Sequence, residues 1–116
     1  MAAAKHRLSN LTAIVDYNKL QSYGRTSEVL DMEPLADKWR AFGFATAECD
    51  GHDVVALRGL LDEPLADDRP TMIIAHTVKG KGVVFAENEP TWHHKSRVPA
   101  DQIAAMYAAL SGTKDA

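Results

Sequence analysis

The sequence holds a single cysteine, Cys49, so it has no internal disulfide framework and suits a reducing compartment. No run approaches the roughly 20 apolar residues that a membrane-spanning helix requires. Positive charge is not in excess either. Thirteen Lys and Arg stand against 16 Asp and Glu, a formal net charge of −3, so nothing draws the chain to nucleic acid or to an anionic membrane. Met1 to Leu8 offers bases and small residues without the apolar stretch of a secretory signal, and the expected address is the cytoplasm. Repeats and low-complexity tracts are absent. What remains is ordinary for a globular protein: 116 residues, 46% hydrophobic and 25% charged, the size of one modest domain.

Short apolar runs alternate with amphipathic segments. Ala2 to Leu8 reads as a helix, with Lys5, His6 and Arg7 near its end, where cations suit the helix dipole. A chain that opens directly in a helix is expected to be a partial domain. Leu11 to Val15 is a nearly continuous apolar run, as in strands buried on both faces. Asp16 to Arg25 reads as a loop at the carboxyl end of that strand, where open α/β sheets bind ligands. A helix then follows Pro34, with Leu35, Trp39 and Phe42 on one face and Gly43 at its end. Phe44 to Glu48 is a second strand. Asp50-Gly51 turns the chain, and Asp53 is placed to cap a helix carrying Val54, Leu57, Leu60 and Leu61 on its inner side. A charged connector with Pro64 leads to a third strand, Thr71 to Ala75. A long loop from Thr77 to about Pro99 precedes a last helix, Asp101 to Leu110, with Ile103, Met106, Tyr107 and Leu110 expected to face inward. This order predicts an α/β fold with a mostly parallel sheet flanked by helices.

Three segments could carry chemistry. Asp16-Tyr17-Asn18-Lys19 follows the first strand, and Asn18 offers a neutral oxygen of the kind a hard cation such as Mg²⁺ accepts. Asp and Asn after a strand are also ordinary turn formers. Lys79-Gly80-Lys81-Gly82 follows the third strand. Its glycines admit close backbone approach and its lysines can face phosphate, although it lacks the spacing of a Walker A loop, and an exposed basic turn has the same composition. Trp92-His93-His94 lies in the same long loop. No third ligand stands at a zinc-like spacing, so a phosphate partner, a proton donor or a plain surface histidine are the readings left. His52 reads as a turn residue, and Cys49 as a buried structural thiol.

Taken in order, these segments resemble a known family. Asn10 to Gln21 is similar to the second half of the thiamine-diphosphate signature of transketolases, and Glu33 to Phe44 to the helix and strand that follow it there. Asp50-Gly51-His52-Asp53, Pro70-Thr71, Thr77 to Gly82 and Trp92-His93-His94 complete the series, most like the amino-terminal subunit of split bacterial transketolases. The resemblance implies a thiamine-diphosphate-binding fold, with residues 1–116 as a single partial domain. It implies that the Asn18 side chain and the Leu20 backbone carbonyl ligate Mg²⁺. Lys79 and His93 would line the diphosphate of thiamine diphosphate, with His93 also beside the substrate as the catalytic candidate. The implied reaction moves a two-carbon ketol unit from a ketose phosphate to an aldose. The implied partners are sugar phosphates and a carboxyl-terminal transketolase subunit or a second copy in a dimer, with no nucleic acid and no membrane. A non-catalytic module of this fold, or a piece of a deoxyxylulose-phosphate-synthase-like enzyme, shares several of the segments. Trp92-His93-His94 and Glu33 to Phe44 favour transketolase over that enzyme. The family's Gly-Asp-Gly aspartate and its pyrimidine-activating glutamate are not in the chain, which is therefore expected to be inactive alone.

Overall fold

The computed structural model describes residues 1–63 and 65–112. Pro64, placed above in the charged connector, and the polar tail 113–116 lie outside the described residues. The chain runs α1 (Ala2–Lys5), β1 (Thr12–Tyr17), β2 (Leu20–Gln21), β3 (Gly24–Arg25), α2 (Thr26–Val29), α3 (Leu35–Ala41), β4 (Ala45–Asp50), α4 (Val54–Asp62), β5 (Thr71–His76), a 3₁₀ turn (Pro90–Trp92) and α5 (Ala100–Ser111). Two compact units share these elements. The first holds Met1–Tyr17 and Leu30–Thr77, the second Asn18–Val29 and the chain from Val78 onward.

The first unit is built on a parallel sheet in the order β1-β5-β4. The central strand explains its own sequence. Thr71 through Ala75 are all buried, because a middle strand covered on both faces has no polar side. Met72, Ile73 and Ile74 are at most 1% exposed, and burial of each contributes about 1.5–3 kcal/mol. Met72 and Ile74 join Tyr17, Ala36 and Phe44 in one cluster, against which Val15, Leu35 and Trp39 pack. The Trp39 ring meets Phe44 edge-on at 5.2 Å. Leu35 and Trp39 thus share the inner face the spacing predicts. Phe42 stands at the C-cap, where the helical path ends, and is exposed.

Asp53 caps α4 as expected, its carboxylate accepting from the Val55 and Ala56 amides at 3.0 and 2.9 Å. The inner face of α4 is narrower than its composition promised. Leu57 and Leu60 are half-buried, whereas Val54 and Leu61 are 74% and 51% exposed. Seven residues apart, Val54 and Leu61 share a stripe on the helix flank, turned away from the other pair.

The second unit differs more from the expected loop and helix. β1 runs on through Tyr17, and the supposed loop folds into an antiparallel hairpin, Leu20 opposite Arg25 and Gln21 opposite Gly24. Two-residue strands leave no periodicity to read, so this hairpin and α2 were not foreseeable from pattern. Leu20, Val83 and Ala86 are buried. α5 forms over nearly the expected range, but its apolar stripe is largely open. Met106 is half-buried, whereas Ile103, Tyr107 and Leu110 are exposed. Helical spacing determines which residues share a face, not what covers it. Among the described residues, no helix is long and apolar enough to cross a membrane.

Candidate cofactor site

β1 and β5 end side by side. Tyr17 stands opposite His76, and the Thr77 amide donates to the Tyr17 carbonyl at 3.3 Å. Polar side chains brace this end of the sheet. The Thr77 hydroxyl donates to the Asp16 carboxylate, the Tyr17 hydroxyl donates to Glu33 at 2.8 Å, and His76 pairs with Glu48 at 2.8 Å. The Asp50-Gly51 turn closes against Thr77 so tightly that a Cβ on Gly51 would lie 2.4 Å from the Thr77 methyl. The His52 amide bonds the Asp50 carboxylate at 2.9 Å, as a turn residue should. Burial, then Asp50 and Asp53, push the Cys49 thiol up, which keeps it protonated and unreactive.

From these neighbouring strand ends the chain enters the second unit twice, at Asn18 and at Val78. Asn18 Oδ1 accepts from the Leu20 amide at 2.9 Å, an Asx turn. An amide oxygen has two lone pairs, so one remains for a cation. Paired residues in an antiparallel hairpin alternate between exchanging hydrogen bonds and turning outward. The Thr26 amide bonds the Lys19 carbonyl at 2.9 Å, which turns the intervening Leu20 carbonyl to the outer edge while its side chain stays buried. Two neutral oxygens therefore stand on one short segment, the donor type Mg²⁺ takes. Among the described residues no group of His, Cys, Asp and Glu could hold a metal by itself. A cation here would need ligand oxygens as well.

The second crossing, at Val78, carries the cations. Lys79-Gly80-Lys81-Gly82 winds into consecutive turns: Lys81 N bonds Val78 O at 3.1 Å, Val83 N bonds Gly80 O at 3.0 Å, and Asn88 N returns to Lys79 O at 2.9 Å. Gly80 has φ 76°, and a Cβ there would lie 2.6 Å from the Ala86 carbonyl oxygen. Only glycine allows the loop to fold this tightly. Lys79, Lys81 and Trp92 line an open cavity of about 230 Å³ together with Met106 and Leu110.

Further along, Glu89 caps the 3₁₀ turn through the Thr91 amide, which holds its carboxyl below the usual range. This turn presents His93, half-buried, with His94 edge-on at 4.5 Å. Burial, then His94 and Lys79, lower the His93 pKa. His94 Nε2 lies 3.3 Å from the Ser22 hydroxyl, which ties the histidine segment to the β2–β3 turn. All four residues singled out from the sequence, Asn18, Leu20, Lys79 and His93, belong to the second unit. Lys79 acts electrostatically on His93, and the Ser22–His94 contact links their loop to the one bearing Asn18 and Leu20. Ser22 and Gln21 escaped sequence reasoning because their placement depends on the unforeseen hairpin. The donors fit an anionic ligand carrying a hard cation: neutral oxygens on one loop, and lysines and a histidine on the other.

A mostly parallel sheet flanked by helices defines the class of α/β proteins. Within that class the chain belongs to the transketolase thiamine-diphosphate-binding-domain family, which residues 1–115 match. It is 42% identical over 95 residues to a subunit of the apulose-4-phosphate transketolase of Actinobacillus succinogenes, covering 82% of this chain and 34% of that protein. It is 41% identical over 95 residues to a subunit of the 6-deoxy-6-sulfo-D-fructose transketolase of a Clostridium species, covering 81% and 34%. The chain thus spans about a third of the length of these curated relatives. Among solved structures, Campylobacter jejuni transketolase matches with a TM-score of 0.71 at 27% identity, over 78% of this chain and 14% of that one. A Pichia stipitis transketolase matches in fold, with a TM-score of 0.72 at 21% identity, over 96% and 20%.

Proposed function

We propose that this chain is the diphosphate- and metal-holding part of a transketolase that moves a two-carbon ketol unit from a ketose to an aldose. Asn18 Oδ1 and the Leu20 carbonyl would hold Mg²⁺. Lys79 would face the diphosphate, and His93 would contact the diphosphate and the reacting sugar, acting there as a proton donor or acceptor. Thiamine diphosphate supplies the carbanion chemistry when bound. The observation that carries this reading is that Asn18, Leu20, Lys79 and His93 all gather in one compact unit, whose two loops touch in the free chain at Ser22 and His94. The relatives' names point to ketoses with an anionic group at the far end, a phosphate in one and a sulfonate in the other. A donor of that kind is our proposal here, most simply a ketose phosphate.

The names also describe those relatives as subunits, which supports a partner chain supplying the rest of the active site. The family match spans both compact units, and we read residues 1–116 as one partial domain. A cytoplasmic setting suits the lone Cys49.

These 116 residues contain no Gly-Asp-Gly, so the cation would lack a charged protein ligand. Thiamine diphosphate should therefore bind only weakly, with a Kd on the order of millimolar, worth about 4 kcal/mol. The test is a titration of the purified chain followed by tryptophan fluorescence, Trp92 being next to His93. We expect saturable quenching that chelation of Mg²⁺ abolishes, and no ketol transfer by the chain alone. Turnover by the purified chain, or quenching indifferent to Mg²⁺, would contradict this reading.

A further inference from the structure

Buried polar groups nearly always find partners, and the exceptions need a reason. Among the described residues, three buried side-chain polar atoms have none: Thr71 Oγ1, Gln21 Nε2 and His93 Nδ1. Thr71 opens β5 in the first unit. The other two flank a single contact. Gln21 precedes Ser22 and His93 precedes His94, and Ser22 Oγ lies 3.3 Å from His94 Nε2. Consecutive Cα atoms are only about 3.8 Å apart, so the two orphans sit on segments that are tied together beside them.

We infer that Gln21 is a further ligand-binding residue of this site, its carboxamide Nε2 donating to a phosphoryl oxygen of the bound diphosphate alongside His93. This rests on the diphosphate reading above. The chemistry of the orphans selects the ligand. Both atoms are nitrogen, and a hard cation takes oxygen, so neither completes the metal shell. A carboxamide nitrogen can only donate, so its partner is an acceptor. The lysine that acts on His93 and its neighbour Lys81 favour an acceptor bearing negative charge. Neither orphan is open to solvent here, so the ligand reaches them when the hairpin turn and the histidine segment part. The contact that must open is the Ser22–His94 one, a long hydrogen bond between exposed side chains that water readily replaces.

The test replaces Gln21 with leucine in the full chain and reads two quantities, the melting temperature of the free chain and the affinity for two probes. The probes are thiamine diphosphate and inorganic pyrophosphate, each with Mg²⁺, titrated by calorimetry. Gln21→Leu removes an unpaired buried donor while keeping its bulk, so the free chain should melt no lower than wild type. Both affinities should fall about tenfold or more, the loss of one hydrogen bond to a charged group. Unchanged affinities overturn the inference, most plainly if the melting temperature drops, since Gln21 is then structural. Loss of thiamine diphosphate affinity with pyrophosphate unaffected also overturns it, because the contact is then not to phosphoryl oxygen. Binding by wild type with no change in the variant leaves the cofactor reading standing. Absence of binding by wild type removes both. Gln21→Met, equally long and unbranched, is read the same way should the leucine variant unfold.

Discussion

His93 takes up a proton less readily than an ordinary histidine, because burial, then His94, then Lys79, oppose the charge. The consequence for stability has a definite sign. The unfolded chain binds the proton first as pH falls, so His93 favours the fold above its ordinary pKa of 6.5, and that contribution is lost as pH drops through the lower folded value. A diphosphate beside the ring reverses the electrostatic part of this effect. An NMR titration of the free chain should place the His93 midpoint below 6.5, and pyrophosphate with Mg²⁺ should move it upward. A midpoint that does not move with pyrophosphate would contradict the placement of His93 at the diphosphate. At this scale, what could be read from the sequence was residue type in the loops, shortly after a strand for Asn18 and Lys79 and after the 3₁₀ turn for His93. Asn18, Lys79 and His93 each stand out by their chemistry, and the resemblance supplied their order. Gln21 and Ser22 could not be read, since a glutamine and a serine in a polar stretch have no pattern until the hairpin gives them neighbours.

Among the elements, legibility followed burial. β5 declared itself by an unbroken apolar run and is the one strand buried along nearly its whole length. The apolar run of β1 promised a strand buried on both faces, but β1 stands at the sheet edge with Ile14 52% exposed, and β4, at the other edge, carries exposed positions too. α4 was marked by its cap. Asp53→Ala removes the acceptor for two amides and should cost about 1 kcal/mol by chemical denaturation, whereas Asp53→Asn, which keeps a capping oxygen, should cost much less. Equal losses in the two variants would place the role of Asp53 outside the cap. α5 was legible as a helix but not in its surroundings. Its apolar stripe lines an open groove with Val98, because periodicity speaks of the helix and not of its neighbours.

Across the whole molecule, the alternation of helices and strands was enough to give a parallel sheet, since buried strands and amphipathic helices leave few other ways to cover apolar surface. It did not give the gathering of Asn18–Val29 with the chain from Val78 onward into a unit of its own. That gathering depends on where the chain leaves the sheet, and periodicity does not report it. It is also what puts the oxygen donors and the cations in one unit, where we propose that both loops serve one ligand. Mn²⁺ substituted for Mg²⁺ in the thiamine diphosphate complex tests this most directly, because its unpaired electrons broaden NMR signals only nearby. The amides of Asn18 to Leu20, of Lys79 to Gly82 and of His93 should broaden together. Broadening confined to one of the two loops, or centred elsewhere in the chain, would contradict it.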